Sequence, residues 1–269
     1  MTILVTGATG KVGRQAVAQL VAQGAEVRAL VRTPATARLP DGVDVVAGDL
    51  TDVDSVRAAA TGADKVFLVW PFFTVDTLPA VLEVLPRRVV YLSSEGGAKW
   101  ADDAEALIRA AGLQWTFLRP TGFAGNLLEF AAEIKTSGVV RAPFAKLARP
   151  YIHEYDMAAV GVRALTEDGH VGRSYSLSGP ELVTQLDAVQ TIGDVIGRAL
   201  RFEELTPEQG KQRMRDAGWP PTLLTAAFDG WAGMVAEPEP ITSTVADVTG
   251  RPAKSVREWA IDNAASFTV

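Results

Sequence analysis

The sequence contains no cysteine, and this absence excludes disulfide bonds, catalytic thiols and thiolate metal sites. Histidine is also scarce, because only His153 and His170 are present, so we expect no metal site. Apolar runs stay well short of the roughly 20 residues that cross a bilayer. Met1 stands almost directly before the first strand-like segment, which leaves no room for a signal peptide. These absences predict a soluble, cytoplasmic protein that does not enter a membrane.

Positive charge is in the minority, with 26 lysine and arginine residues against 32 aspartate and glutamate residues. The formal net charge of −6 and the lack of a long basic run argue against electrostatic binding of nucleic acid. Hydrophobic residues, by contrast, make up 48% of the 269-residue chain, enough to bury a substantial core. The length suits one large α/β domain, or a main domain with a smaller one. The oligomeric state stays open, with a homodimer among the expected assemblies.

A glycine-rich segment near the N-terminus carries the most informative motif. Strand-like residues 3–5 lead into Gly7, Gly10 and Gly13, and residues 12–21 then show a helical apolar pattern. Gly7 allows a tight turn, Gly10 lets the main chain approach a pyrophosphate, and Gly13 lets the helix pack closely. The helix N-terminus offers N–H groups to the phosphates, which favours a dinucleotide site over the alternative of a purely structural turn. The predicted phosphate-binding residues are Gly7, Thr9, Gly10, Lys11, Val12 and Gly13.

Repeated strand and helix patterns predict the fold. The strand segments are continuous apolar runs, as expected when helices cover both faces of a parallel sheet. We therefore predict an α/β fold with a doubly wound parallel (Rossmann) sheet, in an NAD(P)-binding domain over residues 1–122. Residues 123–269 are mostly helical in pattern and are predicted to form a smaller substrate-binding cap, with segments near Asp156 and Tyr175 returning to the sheet. The predicted strands after the first are residues 27–31, 43–47, 66–69, 89–92 and 115–118.

The ends of the second and third strands bear on the choice of cofactor. Ligands of open α/β sheets bind beyond the carboxyl ends of the strands. The second strand ends at Arg32, without the acid that usually binds the ribose hydroxyls of NAD, so NADP(H) is favoured over NAD(H). The alternative for Arg32 is a solvated surface arginine. Asp49 and Leu50 follow the third strand and are predicted to bracket the adenine, with a helix-capping or turn role for Asp49 as the alternative.

Aromatic residues follow the fourth and sixth strands. They are predicted to line a pocket for a flat aromatic substrate, with Phe123 near the nicotinamide and Tyr151 completing the wall. The alternatives are ordinary core packing for the aromatic residues after the fourth strand and packing within the cap for Tyr151. The predicted substrate pocket consists of Trp70, Phe72, Phe73, Phe123 and Tyr151. The predicted cofactor contacts at these strand ends are Val69, Trp70, Pro71, Ser93, Pro120 and Phe123.

Catalytic groups are harder to assign. Ser93 closes the fifth strand, where short-chain dehydrogenases hold a catalytic serine, but no tyrosine has a lysine four residues later. The usual acid of that mechanism is therefore missing. Lys99 is the nearest cation and a solvated loop lysine is the alternative, so Ser93 and Lys99 are only weak catalytic candidates. His153 could donate a proton only from a pocket-facing position.

Several stretches resemble the NmrA-like branch of the atypical short-chain dehydrogenase/reductase superfamily. They are TGATGKVG at 6–13, LVR at 30–32, GDL at 48–50, EALIRAAGL at 105–113, WTFLRP at 115–120 and GRP at 250–252, leading into Trp259 and Phe267. The resemblance implies a Rossmann fold that binds NAD(P), often NADPH, and it agrees with the missing tyrosine–lysine pair. Related plant reductases use a lysine in the helix after the fifth strand. Glu105 stands in the matching region, so that mechanism is not transferred.

The family includes quinone reductases, other reductases of unsaturated or aromatic compounds, and redox-sensing regulators that catalyse nothing. The aromatic residues above favour the first group. We therefore expect an NADPH-dependent reductase that passes hydride to a quinone or a related aromatic carbonyl compound. The alternative is a non-catalytic NAD(P)-sensing regulatory protein, which the missing catalytic groups would suit.

Overall fold

The computed structural model describes residues 1–96 and 98–268. Within these residues the strands are β1 (Thr2–Val5), β2 (Glu26–Val31), β3 (Asp44–Ala47), β4 (Lys65–Val69), β5 (Arg88–Leu92), β6 (Gln114–Pro120), β7 (Val139–Ala142), β8 (Ala148–Arg149), β9 (Arg173–Leu177), β10 (Val183–Thr184) and β11 (Arg201–Glu204). The α-helices are α1 (Lys11–Ala22), α2 (Val53–Ala60), α3 (Leu78–Leu82), α4 (Lys99–Ala110), α5 (Ala131–Thr136), α6 (Glu154–Thr166), α7 (Gln185–Ile196), α8 (Pro207–Asp216), α9 (Pro221–Ala236), α10 (Thr244–Thr249) and α11 (Val256–Asp262). Short 3₁₀ helices cover Pro34–Thr36, Ala124–Phe130 and Ala264–Ser266.

The first of two compact units comprises Met1–Pro120, Glu154–Leu177 and Thr244–Pro252. It holds a seven-stranded sheet in the order β3-β2-β1-β4-β5-β6-β9, and every neighbouring pair in it is parallel. The order reverses direction between β1 and β4, which is the switch point where open α/β sheets bind their ligands. The predicted doubly wound parallel sheet is confirmed.

Apolar strands and helix faces explain why this sheet forms. Ile3, Leu4 and Val5 of β1 are fully buried, as expected for a central strand covered on both faces. Helix α1 buries one face. Asp52 is the N-cap of helix α2, and its carboxylate accepts hydrogen bonds from N–H groups of the first turn.

Helix α6 packs against the sheet. Ten of its residues are buried, and a Cβ on Gly161 would lie 2.3 Å from Cε2 of Phe67. Arg88 donates to the carbonyl oxygen of Ala164 at 2.6 Å, and Lys65 donates to that of Leu165. These two cations satisfy carbonyl groups at the C-terminal end of α6, where positive charge is favourable.

The second compact unit comprises Thr121–His153, Ser178–Ser243 and Ala253–Val269. It contains two small sheets, in which β7 pairs parallel with β11 and β8 pairs antiparallel with β10. Its core includes Trp259 and Phe267, whose ring centroids lie 6.0 Å apart. Among residues 1–96 and 98–268, no helix has both the length and the apolar character that a membrane span requires.

The chain enters the first unit three times, whereas the boundary expected from the sequence, between 1–122 and 123–269, divides it once. Strand β9 does join the sheet beside β6, and Leu118 there pairs with Tyr175. The division of cofactor and substrate roles between the two sequence segments stays a prediction.

Candidate active site

The glycine turn between β1 and α1 is shaped by three close approaches. Gly7 has a φ of +58°, which side chains disfavour, and a Cβ there would lie 3.0 Å from Cβ of Val69. Gly10 donates its N–H to the Gly7 carbonyl oxygen at 2.9 Å. A Cβ on Gly13 would lie 2.1 Å from the same oxygen, so α1 packs on the turn more closely than any side chain permits. We call this arrangement the glycine cradle.

The cradle leaves the start of α1 open to an anion. Gly10 is the N-cap of this helix, no side chain caps it, and its first turn contains no acidic residue. Thr9, Gly10 and Lys11 are exposed, whereas Val12 and Gly13 are buried. N–H groups at such a helix end, together with the helix dipole, bind phosphate groups. The cradle therefore fits the pyrophosphate of a dinucleotide, and the predicted phosphate-binding residues lie together in it.

Val69 is held at the edge of the cradle by the side chain of Thr6. The Thr6 hydroxyl donates to the Val69 carbonyl oxygen at 2.9 Å and accepts from the Val69 N–H at 2.8 Å. This pairing ties the carboxyl end of β4 to that of β1, so two strand ends that were predicted to bind the cofactor lie side by side.

Arg32 and Asp49 lie at the carboxyl ends of β2 and β3. Arg32 is exposed, and its charge helps to lower the pKa of Asp49, although hydrogen bonds from Thr51 contribute more. Both the N–H and the hydroxyl of Thr51 bond Oδ1 of Asp49, at 2.9 and 2.8 Å. Asp49 thus has the turn role that the sequence left open, while Leu50 is buried. Their contacts with adenine stay a prediction.

The three aromatic residues after β4 take two different roles. Trp70 is only 4% exposed and belongs to the core, where Phe72 packs edge-on against it at 5.0 Å between ring centroids. Phe73 is 50% exposed and meets Trp100 edge-on at 6.2 Å. Trp70 therefore packs in the core, as in the alternative to a pocket wall, and the partly buried Phe72 packs against that core. Their contacts with a substrate stay a prediction. Exposed Phe73 and partly buried Trp100 form an aromatic pair.

Trp100 was not among the sequence candidates. It is the second residue of α4, in a segment where the sequence analysis considered only Lys99. An aromatic residue at the start of a helix that follows a ligand-binding strand end was the signal available. Its pairing with Phe73, 27 positions earlier, is visible only in three dimensions.

Ser93 and Glu105 form a buried polar network with two arginines. The Ser93 hydroxyl donates to Oε1 of Glu105 at 2.7 Å, and Glu105 is only 2% exposed. Arg119 donates to both carboxylate oxygens at 2.8 and 2.5 Å, and Arg109 donates to Oε2 at 3.0 Å. Burial disfavours the charged carboxylate, but these hydrogen bonds and charges outweigh it and hold the pKa of Glu105 below 4.5.

This network bears on Ser93 and Lys99, whose catalytic roles stay predictions. The Ser93 proton is committed to a buried carboxylate, which gives Ser93 a structural partner instead of the acid–base pair of ordinary short-chain dehydrogenases. Lys99 has a side chain that is 86% exposed, and its Nζ lies 2.6 Å from Oδ2 of Asp103, one helical turn along α4. Lys99 is the solvated lysine that the sequence offered as its alternative.

In the second unit, Phe123 and Tyr151 occupy neighbouring segments. Phe123 forms an isolated parallel bridge with Ile152, shortly after Pro120 ends β6. Tyr151 is buried in the core of this unit, and burial raises its pKa to about 12. Tyr151 has the packing role that was left open, whereas Phe123 is only half-buried.

His153 is not placed for proton donation. Its ring is buried, Nε2 lies 3.2 Å from Oδ2 of Asp262, and burial together with the charge of Lys254 lowers its pKa. No cluster of three or more metal-ligating side chains is present in the part of the chain that the structure describes.

Comparison with known proteins identifies the family and the fold. Residues 7–78 match a family model described as NAD(P)H-binding. The (4-alkanoyl-5-oxo-2,5-dihydrofuran-3-yl)methyl phosphate reductase of Streptomyces griseus is 37% identical, over 98% of this chain and 99% of its own length. The NAD(P)H azoreductase of Xenophilus azovorans is 32% identical, with 98% and 99% covered. A solved NADPH-dependent quinone oxidoreductase from Escherichia coli shares the fold, with a TM-score of 0.78, 22% identity, and 96% of this chain and 98% of that chain covered. The protein belongs to the NmrA-like family of atypical short-chain dehydrogenases/reductases and is an NAD(P)H-dependent oxidoreductase.

Proposed function

We propose that the protein is an NADPH-dependent reductase of quinones or related flat aromatic carbonyl compounds. The observation that carries this proposal is the glycine cradle, with an uncapped helix start and Gly13 packed against the Gly7 carbonyl. Relatives named as an NAD(P)H azoreductase, as a (4-alkanoyl-5-oxo-2,5-dihydrofuran-3-yl)methyl phosphate reductase and as a quinone oxidoreductase support a reductase function. The pair of exposed Phe73 and partly buried Trp100 supports a flat substrate, because aromatic faces and edges bind such rings.

Quinone reduction by hydride transfer does not require an acidic or basic side chain. Reduced nicotinamide supplies the hydride when it is bound. The quinone accepts two electrons with that hydride, and water protonates the resulting delocalised hydroquinone anion. A site without the tyrosine–lysine pair suits this reaction, since its own residues have to bind, orient and exclude solvent. The cradle and the N-terminus of α1 would hold the phosphates, and Arg32 would bind the 2′-phosphate.

The test is the rate of NADPH oxidation by the purified protein with a panel of quinones, with an azo dye as a second class of acceptor. Steady turnover of quinones, above the rate without protein, is the expected result. Tight NADPH binding without turnover of any acceptor would contradict the proposal and favour a non-catalytic NAD(P)-sensing regulator. Turnover of the azo dye alone would assign a different substrate class.

Replacing Arg32 by alanine is expected to weaken NADPH binding at least about tenfold and to leave NADH binding nearly unchanged. The reason is the loss of a charge-assisted hydrogen bond to the 2′-phosphate, worth about 1.5–3 kcal/mol. Arg28 is no substitute, because it already bonds Asp44 and two carbonyl groups. Calorimetric titration with both nucleotides measures the difference, with Arg57→Ala in the exposed part of α2 as the matched control. Equal losses for the two nucleotides would remove Arg32 from the phosphate site.

Replacing Phe123 by alanine is expected to lower kcat for quinones about two- to tenfold, since an aromatic contact contributes about 0.5–1.5 kcal/mol. The dissociation constant for NADPH should change much less. Steady-state kinetics and NADPH titration separate the two effects. An unchanged kcat would dismiss Phe123 as part of a substrate wall.

A further inference from the structure

The turn at residues 121–123 is fastened to the neighbouring segment of the second unit by three hydrogen bonds. The Thr121 hydroxyl donates to the Pro150 carbonyl oxygen at 2.9 Å. The Ile152 N–H donates to the Gly122 oxygen, and the Ala124 N–H donates to the Ile152 oxygen, both at 2.9 Å. The turn that carries Phe123 is thus paired with residues 150–152 at both of its ends.

Arg149 lies directly against this turn. A Cβ on Gly122 would lie 2.6 Å from Nε of Arg149 and 2.8 Å from its Cζ. The guanidinium group therefore touches the backbone of Gly122, which is possible only because that residue has no side chain. The Arg149 side chain forms one wall of the space that the turn occupies.

A distant carboxylate fixes the guanidinium group. Glu239 accepts two hydrogen bonds from Arg149, from Nε at 2.7 Å and from Nη2 at 2.9 Å. The Arg149 side chain is 19% exposed and that of Glu239 only 8%. Two parallel bonds of this kind set the direction of the guanidinium plane, which a lysine could not do.

The segment that carries Glu239 is itself anchored. Thr242, three residues after Glu239, donates its N–H to the Ser178 hydroxyl oxygen at 2.8 Å. Gly179, the residue after Ser178, donates its N–H to the Pro150 carbonyl oxygen at 2.9 Å. Both ends of the ion pair therefore lead back to the segment at residues 150–152. A buried ion pair adds little net stability but holds its partners in one arrangement.

We infer that Arg149 and Glu239 are positioning residues that set the 121–123 turn, and with it the Phe123 ring, for substrate; this rests on the proposed function. The guanidinium group presses on Gly122, Glu239 keeps it there, and the hydrogen bonds to residues 150–152 transmit the position to Phe123. Neither residue touches the reacting atoms.

The test uses the double variant Arg149→Met/Glu239→Gln, which removes both charges with similar volume and leaves no charge buried alone. Its kcat for a quinone should fall by about as much as that of Phe123→Ala, with the KM for NADPH nearly unchanged. Adding Phe123→Ala to the double variant should cost nothing further, because the pair acts through that ring. Losses that multiply would overturn the inference.

The matched control is Arg141→Met/Glu203→Gln, another ion pair of the second unit, with Nε to Oε2 at 3.0 Å between β7 and β11. It should leave kcat unchanged. If it lowers kcat as much as the Arg149 double variant does, the effect is general destabilisation and the inference fails. If the double variant does not fold, Arg149→Lys replaces it, since lysine keeps the charge but loses the two parallel bonds.

Hydrogen exchange tests the positioning without turnover. In the Arg149 variants, the amides of Ala124 and Ile152 should exchange at least about fivefold faster, while those in α7 of the same unit keep their rates. Unchanged exchange at Ala124 and Ile152 would refute the positioning role even in an active enzyme. A wild-type protein that reduces no quinone, with exchange altered as expected, would refute the proposed function and leave the positioning of the turn supported.

Discussion

Replacing Gly13 by alanine is expected to abolish measurable NAD(P)H binding and to lower the free energy of unfolding by about 1–3 kcal/mol. The added Cβ would lie 2.1 Å from the Gly7 oxygen, 2.7 Å from the Gly7 carbonyl carbon and 3.0 Å from Cα of Ala8. All three atoms belong to the backbone, so no side chain can rotate away. Helix α1 must therefore shift away from the cradle, and the N–H groups at its start no longer point at the phosphates.

Two other glycine substitutions calibrate this result. A Cβ on Gly10 would meet only the Gly7 oxygen, at 3.1 Å, so Gly10→Ala should weaken binding less than Gly13→Ala does. Gly230 lies in α9 with nothing within 4 Å of its Cβ position. Gly230→Ala should leave binding unchanged and stabilise the protein by up to about 1 kcal/mol, because alanine favours helix. Calorimetric titration and urea unfolding measure both properties. Wild-type NADPH affinity in folded Gly13→Ala would show that the cradle does not hold the pyrophosphate.

Replacing Glu105 by glutamine is expected to cost about 2–3 kcal/mol of unfolding free energy at neutral pH. Removing one partner of a fully buried ion pair costs about 3–5 kcal/mol, because a charge stays buried alone. Here the value is lower, since the side chains of Arg109 and Arg119 are 43% and 33% exposed and water can reach them. The control is Asp103→Asn in the same helix, which breaks only the exposed pair with Lys99 and should cost at most about 0.5 kcal/mol.

The loss of unfolding free energy in Glu105→Gln is expected to depend on pH. The folded pKa of Glu105 is below its ordinary value of 4.5, because hydrogen bonds and arginine charges outweigh burial. Its stabilising contribution is therefore fully present above pH 4.5 and is lost as the pH falls through the folded pKa. Urea unfolding of wild type and Glu105→Gln at several pH values should show the two stabilities converging below pH 4.5. A difference that stays constant would mean that the carboxylate charge is not what stabilises the network.

Local patterns explain what the sequence predicted well. Most strands of the central sheet are short apolar runs, which made them recognisable in the sequence. Their continuous apolar character, typical of strands buried on both faces, predicted the parallel arrangement. The spacing of Gly7, Gly10 and Gly13 predicted the tight turn before α1, because each of these positions requires a residue without a side chain for its own steric reason. Gly24 follows the end of α1 with a φ of +76°, a conformation that glycine adopts readily after a helix.

Side-chain contacts between residues far apart in the sequence could not be predicted from local patterns. Glu105 bonds Ser93 and Arg119, which lie 12 and 14 positions away on β-strand ends, and no helical spacing indicates such contacts. Arg149 and Glu239 are 90 positions apart. The aromatic residues at 70–73 likewise gave no sign that Trp70 is buried while Phe73 is exposed, because residue type alone does not tell which way a side chain points after a strand ends.

Helix α6 has a consequence for how the chain matures. During synthesis the strands through Pro120 emerge well before α6 and β9, so the sheet surface around Phe67 and Leu118 has no cover at that stage. A chain ended at residue 122 would therefore lack the helix that covers this apolar surface in the complete protein. The seven-stranded sheet can be completed only after Leu177 has been synthesised, and the first unit only after Pro252.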